Sequence, residues 1–121
     1  PLTSIHPKAL ASAYAAEAAG EQEKFFEMAK ILFENQTSWA NAVSANELFL
    51  SYARDLNLDQ SKFETDMKST ATLTRVQRDL ATAIKLGLNS TPIFFVNGTL
   101  VKKNPRSVAE FVTILRAAVA K

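Results

Sequence analysis

The chain contains one histidine, His6, and no cysteine. A solitary imidazole without thiolates or an acidic cluster beside it supplies neither a metal-ligand set nor a nucleophile–base pair. His6 therefore reads as the residue before a helix. The carboxylates Glu17, Glu21, Glu23 and Glu27 fall on helical segments with Lys24 and Lys30 among them, an interleaving expected of a solvated face rather than of an acid/base pair. No glycine-rich phosphate loop, serine elbow or zinc motif occurs. The sequons at Asn35, Asn89 and Asn97 are three-residue matches of the kind chance produces. The expectation for these 121 residues is no catalytic residue, no cofactor and no metal. Without a thiolate they have no thiol chemistry of their own.

The informative stretch is Asn89-Ser90-Thr91-Pro92-Ile93-Phe94-Phe95-Val96-Asn97-Gly98. A proline at the start of an apolar strand cannot donate to the ladder, so it leaves an opening at the end of a sheet. A cis Thr91–Pro92 bond would turn the chain sharply and free the Thr91 backbone to pair with an incoming peptide; a trans bond would make Pro92 an ordinary strand start. Thr91 and Pro92 are thus the candidate binding residues.

The elements that must position them follow from periodicity. Pro7 to Ala19 predicts an alanine-rich helix with Pro7 at its first position and Gly20 as a left-handed stop. A second helix over Glu21–Asn35 has the stripe Phe25, Met28, Ala29, Leu32 and Phe33. Gln36 to Val43, polar around Trp39, reads as a connection. Ser44-Ala45-Asn46-Glu47 has the form of a capping box before a helix with Leu48, Phe49, Tyr52, Ala53 and Leu56 inside. Asn57 closes it, Asp59 caps a short helix with Phe63 and Met67, and a longer helix over Thr70–Leu86 carries Leu73, Val76, Leu80, Ala83 and Ile84, with Gly87 as its stop. Ile93–Val96, Asn97-Gly98 and Thr99–Val101 form a hairpin. A second capping box, Ser107 to Glu110, opens a terminal helix with Phe111, Val112, Leu115 and Val119 inside.

Two domains are expected: a helical one of about five helices over residues 1–87, and a β-β-α part over residues 88–121. A lone hairpin is marginal in water, and four successive apolar residues usually have both strand faces covered. The missing strands are expected upstream of Pro1 or from another molecule. The opening at Pro1, without Met, fits a trimmed or partial chain. An unpaired sheet edge also offers a route to self-association.

With 47% apolar and 21% charged residues, the chain is not a disordered polar tail. A net charge of +2 with no basic block gives no nucleic-acid signature. No apolar run approaches the roughly 18 residues of a transmembrane helix.

These residues resemble the thioredoxin superfamily. Thr91-Pro92, the apolar strand, Asn97-Gly98 and the return strand look like its cis-proline loop and closing hairpin, with Ser107 to Lys121 as the last helix. The helical segment before them resembles the DsbA-like branch, in which a helical domain interrupts the fold. His6-Pro7 with the alanines that follow is similar to the start of that insertion. Gly20-Glu21-Gln22-Glu23-Lys24-Phe25-Phe26-Glu27-Met28 is similar to the signature Gly-x-Gln-Gly-Lys-Phe-Trp-Glu-Met, with Glu23 for Gly and Phe26 for Trp. The similarity continues through Leu32 to Gln36, Trp39, Tyr52-Ala53 and Leu56 to Asp59.

The resemblance implies an α/β, DsbA-type thioredoxin-like fold, truncated, and a thiol–disulfide oxidoreductase of the bacterial cell envelope, periplasmic or otherwise extracytoplasmic. It implies a Cys-x-x-Cys pair before Pro1 and protein or peptide substrates held at Thr91 and Pro92. Two other readings stay open: a redox-inactive binding or accessory module, perhaps fused to a larger protein, and an unrelated helical interaction domain with a borrowed hairpin.

Overall fold

The computed structural model describes residues 1–120. The chain divides into two compact units, Pro1–Leu86 and a second from Gly87 onward.

The first unit is helical: α1 (Ala9–Gly20), α2 (Phe25–Glu34), α3 (Gln36–Asn41), α4 (Ala45–Asp55), α5 (Gln60–Met67) and α6 (Thr70–Lys85). α1 is its hub, packing against α2, α4, α5 and α6. Its alanines explain this, because Ala15, Ala18 and Ala19 are fully buried and their small side chains let neighbouring helices come close. Met28 from α2, Phe49 from α4 and Phe63 from α5 fill the remaining space and are also fully buried. Each such side chain contributes about 2–3 kcal/mol relative to exposure.

Several local expectations are corrected. Six helices, not five, make up this unit, because Gln36–Asn41 is helical rather than a connection. Trp39 accounts for the difference: it is buried, its Nε1 donates to the Leu32 carbonyl at 2.7 Å, and its ring meets Phe49 edge-on at 5.9 Å. A polar-looking segment is thereby anchored at one point, with the Lys8 ammonium donating to the Ala40 and Ala42 carbonyls at its end. α1 starts at Ala9, two residues after Pro7.

Gly20 is not the left-handed stop of α1. Glu23 is, at φ 61°. Lys24 N donates to Ala19 O at 2.9 Å and Glu23 N to Gly20 O at 3.0 Å, the paired bonds of a Schellman ending. A Cβ at Gly20 would lie 3.4 Å from Cβ of Phe25, at the near limit of ordinary van der Waals contact. Asn57, at φ 57°, ends α4 in the same way, with Leu58 N bonded to Ala53 O at 2.9 Å.

Ser44 is extended, as an N-cap is, but its hydroxyl accepts no backbone N–H. Ala45, the first residue of α4, is buried. Asp59 and Ser69 do cap α5 and α6, through Lys62 N at 2.8 Å and Thr72 N at 3.1 Å. Phe33 and Ile84, assigned above to inner stripes, are 79% and 68% exposed. Periodicity marks apolar surface and does not say how much of it the chain's own elements cover.

The second unit holds β1 (Phe95–Val96), β2 (Thr99–Leu100) and α7 (Val108–Val119). The strands are antiparallel with Phe95 opposite Leu100 and Val96 opposite Thr99, joined through Asn97 (φ 50°) and Gly98 (φ 74°). Both turn residues need positive φ, which is why Asn-Gly suits them. Among the described residues the sheet has these two strands. Leu115 and Val119, expected inside, are 40% and 85% exposed. Phe111 and Val112 are half-buried as expected, Ile114 and Ala118 take the other half-buried positions, and the Phe111 ring meets Phe94 at 5.1 Å.

Candidate functional site

Thr91 and Pro92 are both exposed, and the peptide bond between them is cis. They lead directly into the hairpin. Val101 N donates to Phe94 O at 2.9 Å, one step beyond the Phe95–Leu100 pair. In an antiparallel ladder the bonded groups alternate sides. Phe94 and Val96 therefore point their backbone groups at β2, while Ile93 and Phe95 point theirs away from it. The strand beyond Pro92 thus has one occupied edge and one edge without a partner strand among the described residues.

Asn104 fixes the loop from the other side. Its Nδ2 donates to the Pro92 carbonyl oxygen at 2.6 Å, so the turn after β2 is tied to the start of the strand. This contact was missed in the sequence, where Asn104-Pro105 signals only a turn. The turn is itself held by the start of α7. Ser107 Oγ accepts from Glu110 N at 3.2 Å, and Glu110 Oε2 accepts from Arg106 N at 2.7 Å. The capping box closes one residue earlier than its usual form, onto Arg106 rather than Ser107. Between hairpin and helix lies an open groove of about 440 Å³, lined by Val96, Leu100, Val101, Ile114 and Ala118 among others.

The other residues considered above do not join this site. His6 is exposed in a turn, with its N–H bonded to Leu2 O at 2.9 Å. Among the described residues no three His, Asp or Glu side chains are placed to hold a metal. The acidic residues of α1 and α2 are not uniformly solvated. Glu17 Oε2 accepts from Arg75 Nε at 3.0 Å and Glu21 Oε1 from Arg75 Nη2 at 2.5 Å. The Glu17 hydrogen bond, then the nearby Glu21 charge, push the Arg75 guanidinium further up its range. This clamp joins α1 to α6 and is structural. Glu27 is exposed; its backbone hydrogen bond and Lys24, 3.1 Å away, hold its carboxyl below the usual range.

An exposed Thr-Pro turn entering an apolar strand, an Asn-Gly hairpin and a closing helix define the class of protein. The chain matches the thioredoxin family over residues 3–117, and it belongs to that family. It is also similar to curated proteins named as Na(+)/H(+) antiporter NhaA. One from Mycobacterium sp. (strain KMS) is 37% identical over 121 residues, 97% of this chain and 18% of that protein. One from Herminiimonas arsenicoxydans is 39% identical over 93 residues, 77% of this chain and 14% of that protein. One from Salinispora arenicola is 38% identical over 98 residues, 81% of this chain and 14% of that protein. The chain spans less than a fifth of the length of these relatives. No solved structure matches it. Among the described residues no helix is long and apolar enough to cross a membrane.

Proposed function

We propose that this chain is the substrate-holding part of a DsbA-like thiol–disulfide oxidoreductase, with the reactive cysteine pair supplied from outside these 121 residues. The observation that carries this reading is the exposed Thr91–Pro92 turn, feeding a strand with one open edge, in a chain of the thioredoxin family. An extended client segment lies along the Thr91 backbone and pairs with it strand to strand, while thiol exchange occurs on groups brought by the cysteine-bearing segment. The chain's own contribution is orientation: Asn104 and the Phe94–Val101 bond hold the loop so that the client enters in one register. Holding reactants in place lowers a barrier without any reacting atom of the holder. The open edge of β1 receives a strand from the same outside segment or from a second copy. An extracytoplasmic location belongs to this reading, because exchange that leaves disulfides in place needs an oxidising compartment.

A second reading is a redox-inactive accessory module carried on a larger protein. What favours it is the length of the relatives, whose printed name is that of an antiporter and of which the chain matches 14–18%. In that case the loop binds a peptide with no thiol exchange.

The experiment is to sequence the full reading frame and assay the whole polypeptide for oxidation of a dithiol peptide. A Cys-x-x-Cys upstream of Pro1, with turnover abolished by replacing its first cysteine with serine, supports the oxidoreductase. A frame without such a pair, or a whole protein with no turnover, leaves the accessory module. The 121-residue chain by itself gives no turnover in either case, because it has no thiolate.

A further inference from the structure

Charge is distributed unevenly along the chain. After Gly87 the sequence carries Lys102, Lys103, Arg106, Arg116 and Lys121 with Glu110 as the one carboxylate. Three of those cations lie on the turn that Asn104 ties to Pro92. Consecutive Cα atoms are about 3.8 Å apart, so Lys102, Lys103 and Arg106 all branch from the backbone within about 8 Å of Asn104. That is about one screening length at physiological salt.

The side chains of these three residues are exposed, and none forms an ion pair among the described residues. The Glu110 carboxylate accepts from the backbone N–H of Arg106 rather than from any of these three side chains. The one apolar residue between Lys102 and Ser107, Pro105, is half-buried. Exposed Leu100 and Val108 flank the cationic turn, so what favours an extended peptide over a lipid surface is the Thr91 backbone beside it, which can pair strand to strand.

We infer that the ligand of the Thr91–Pro92 loop is an extended peptide segment bearing carboxylates, recognised by backbone pairing at Thr91 and by Lys102, Lys103 and Arg106 beside it. This rests on the peptide-holding reading above and names its substrate class. The backbone contact is blind to sequence, and the cations supply the selection.

The test uses three labelled ten-residue peptides of one extended sequence, carrying three glutamates, three glutamines or three lysines. Binding to the whole polypeptide that carries these residues is followed by anisotropy, and the site by amide chemical shifts. Each exposed charge pair is worth about a factor of two, so the acidic peptide is expected to bind about eightfold tighter than the neutral one. It should shift the Thr91 and Ile93 amides, and its advantage should vanish in Lys102→Gln/Lys103→Gln/Arg106→Gln and at high salt. That variant changes exposed side chains only, and an unchanged circular dichroism melt certifies its fold. Equal binding of all three peptides, with Thr91 shifts, overturns the acidic class and leaves the peptide-holding loop standing. Acidic binding without Thr91 or Ile93 shifts overturns the assignment to this loop. No binding of any of the three peptides overturns both. Preference of the three cations for phosphatidylglycerol vesicles over the acidic peptide overturns the peptide assignment in favour of a membrane.

Discussion

The side-chain amide of Gln22 makes two hydrogen bonds with the backbone of Asp59. Asp59 N donates to Gln22 Oε1 at 2.8 Å, and Gln22 Nε2 donates to the Asp59 carbonyl at 3.1 Å. The amide thus pairs with a peptide unit as a neighbouring strand would. It fastens the turn after α1 to the residue that caps α5 through Lys62 N. Gln22 is a residue shared with the signature noted above, and this contact gives it a physical task.

Replacing Gln22 with alanine removes both bonds and leaves the two Asp59 backbone groups to water. The site is exposed, so the cost is that of ordinary net hydrogen bonds, about 1–2 kcal/mol in all. Urea denaturation should show a lowered midpoint with an unchanged slope. A midpoint equal to that of the parent would mean the amide pairing contributes nothing.

Glu23 occupies the left-handed ending of α1 at φ 61°, where the signature has glycine. A side chain there meets the following carbonyl, a cost of about 1–2 kcal/mol, offset in part by the lower entropy of the unfolded non-glycine chain. Glu23→Gly should stabilise by about 0.5–1 kcal/mol, read as a rise in melting temperature of a few degrees. Glu23→Val at the same position should lower it, because a β-branched side chain tolerates positive φ least.

Tyr52 is buried in the helical core, and that burial, followed by the charge of Asp55, pushes its phenol up from the ordinary value. The sign follows from proton counting. As pH rises past about 10, the unfolded chain loses the phenolic proton while the folded one keeps it, so stability falls across that window and is unaffected below it. Alkaline denaturation curves should show the fall, and Tyr52→Phe should flatten it. An identical alkaline slope in the two proteins would assign the effect elsewhere.

The helices that the sequence announces most clearly are those whose signals are local. Asp59 and Ser107 each cap from three residues away, and Asn57 and Gly87 sit where the chain turns left-handed; the equally local Ser69 cap of α6 was not read. The loop at Thr91–Pro92 was legible for the same reason, being a run of adjacent residues. What the sequence did not show depends on partners far along the chain. Gln22 meets Asp59 across 37 positions and Arg75 meets Glu17 across 58. Neither pairing has a local pattern. α3 was hidden because six residues with a single apolar anchor at Trp39 carry no period to read. Asn104 was read as a turn residue, and its bond to Pro92 appears only once the hairpin has closed.

The central claim is that the Thr91–Pro92 loop holds an extended client chain. A photoreactive benzoylphenylalanine placed at exposed Ser90, directly beside the loop, tests it against the same group at exposed Ser61 on α5. With a reduced, unfolded client protein and light, the account predicts covalent adducts from the Ser90 position and none above background from Ser61. Equal adducts at both positions, or none at Ser90, would contradict it.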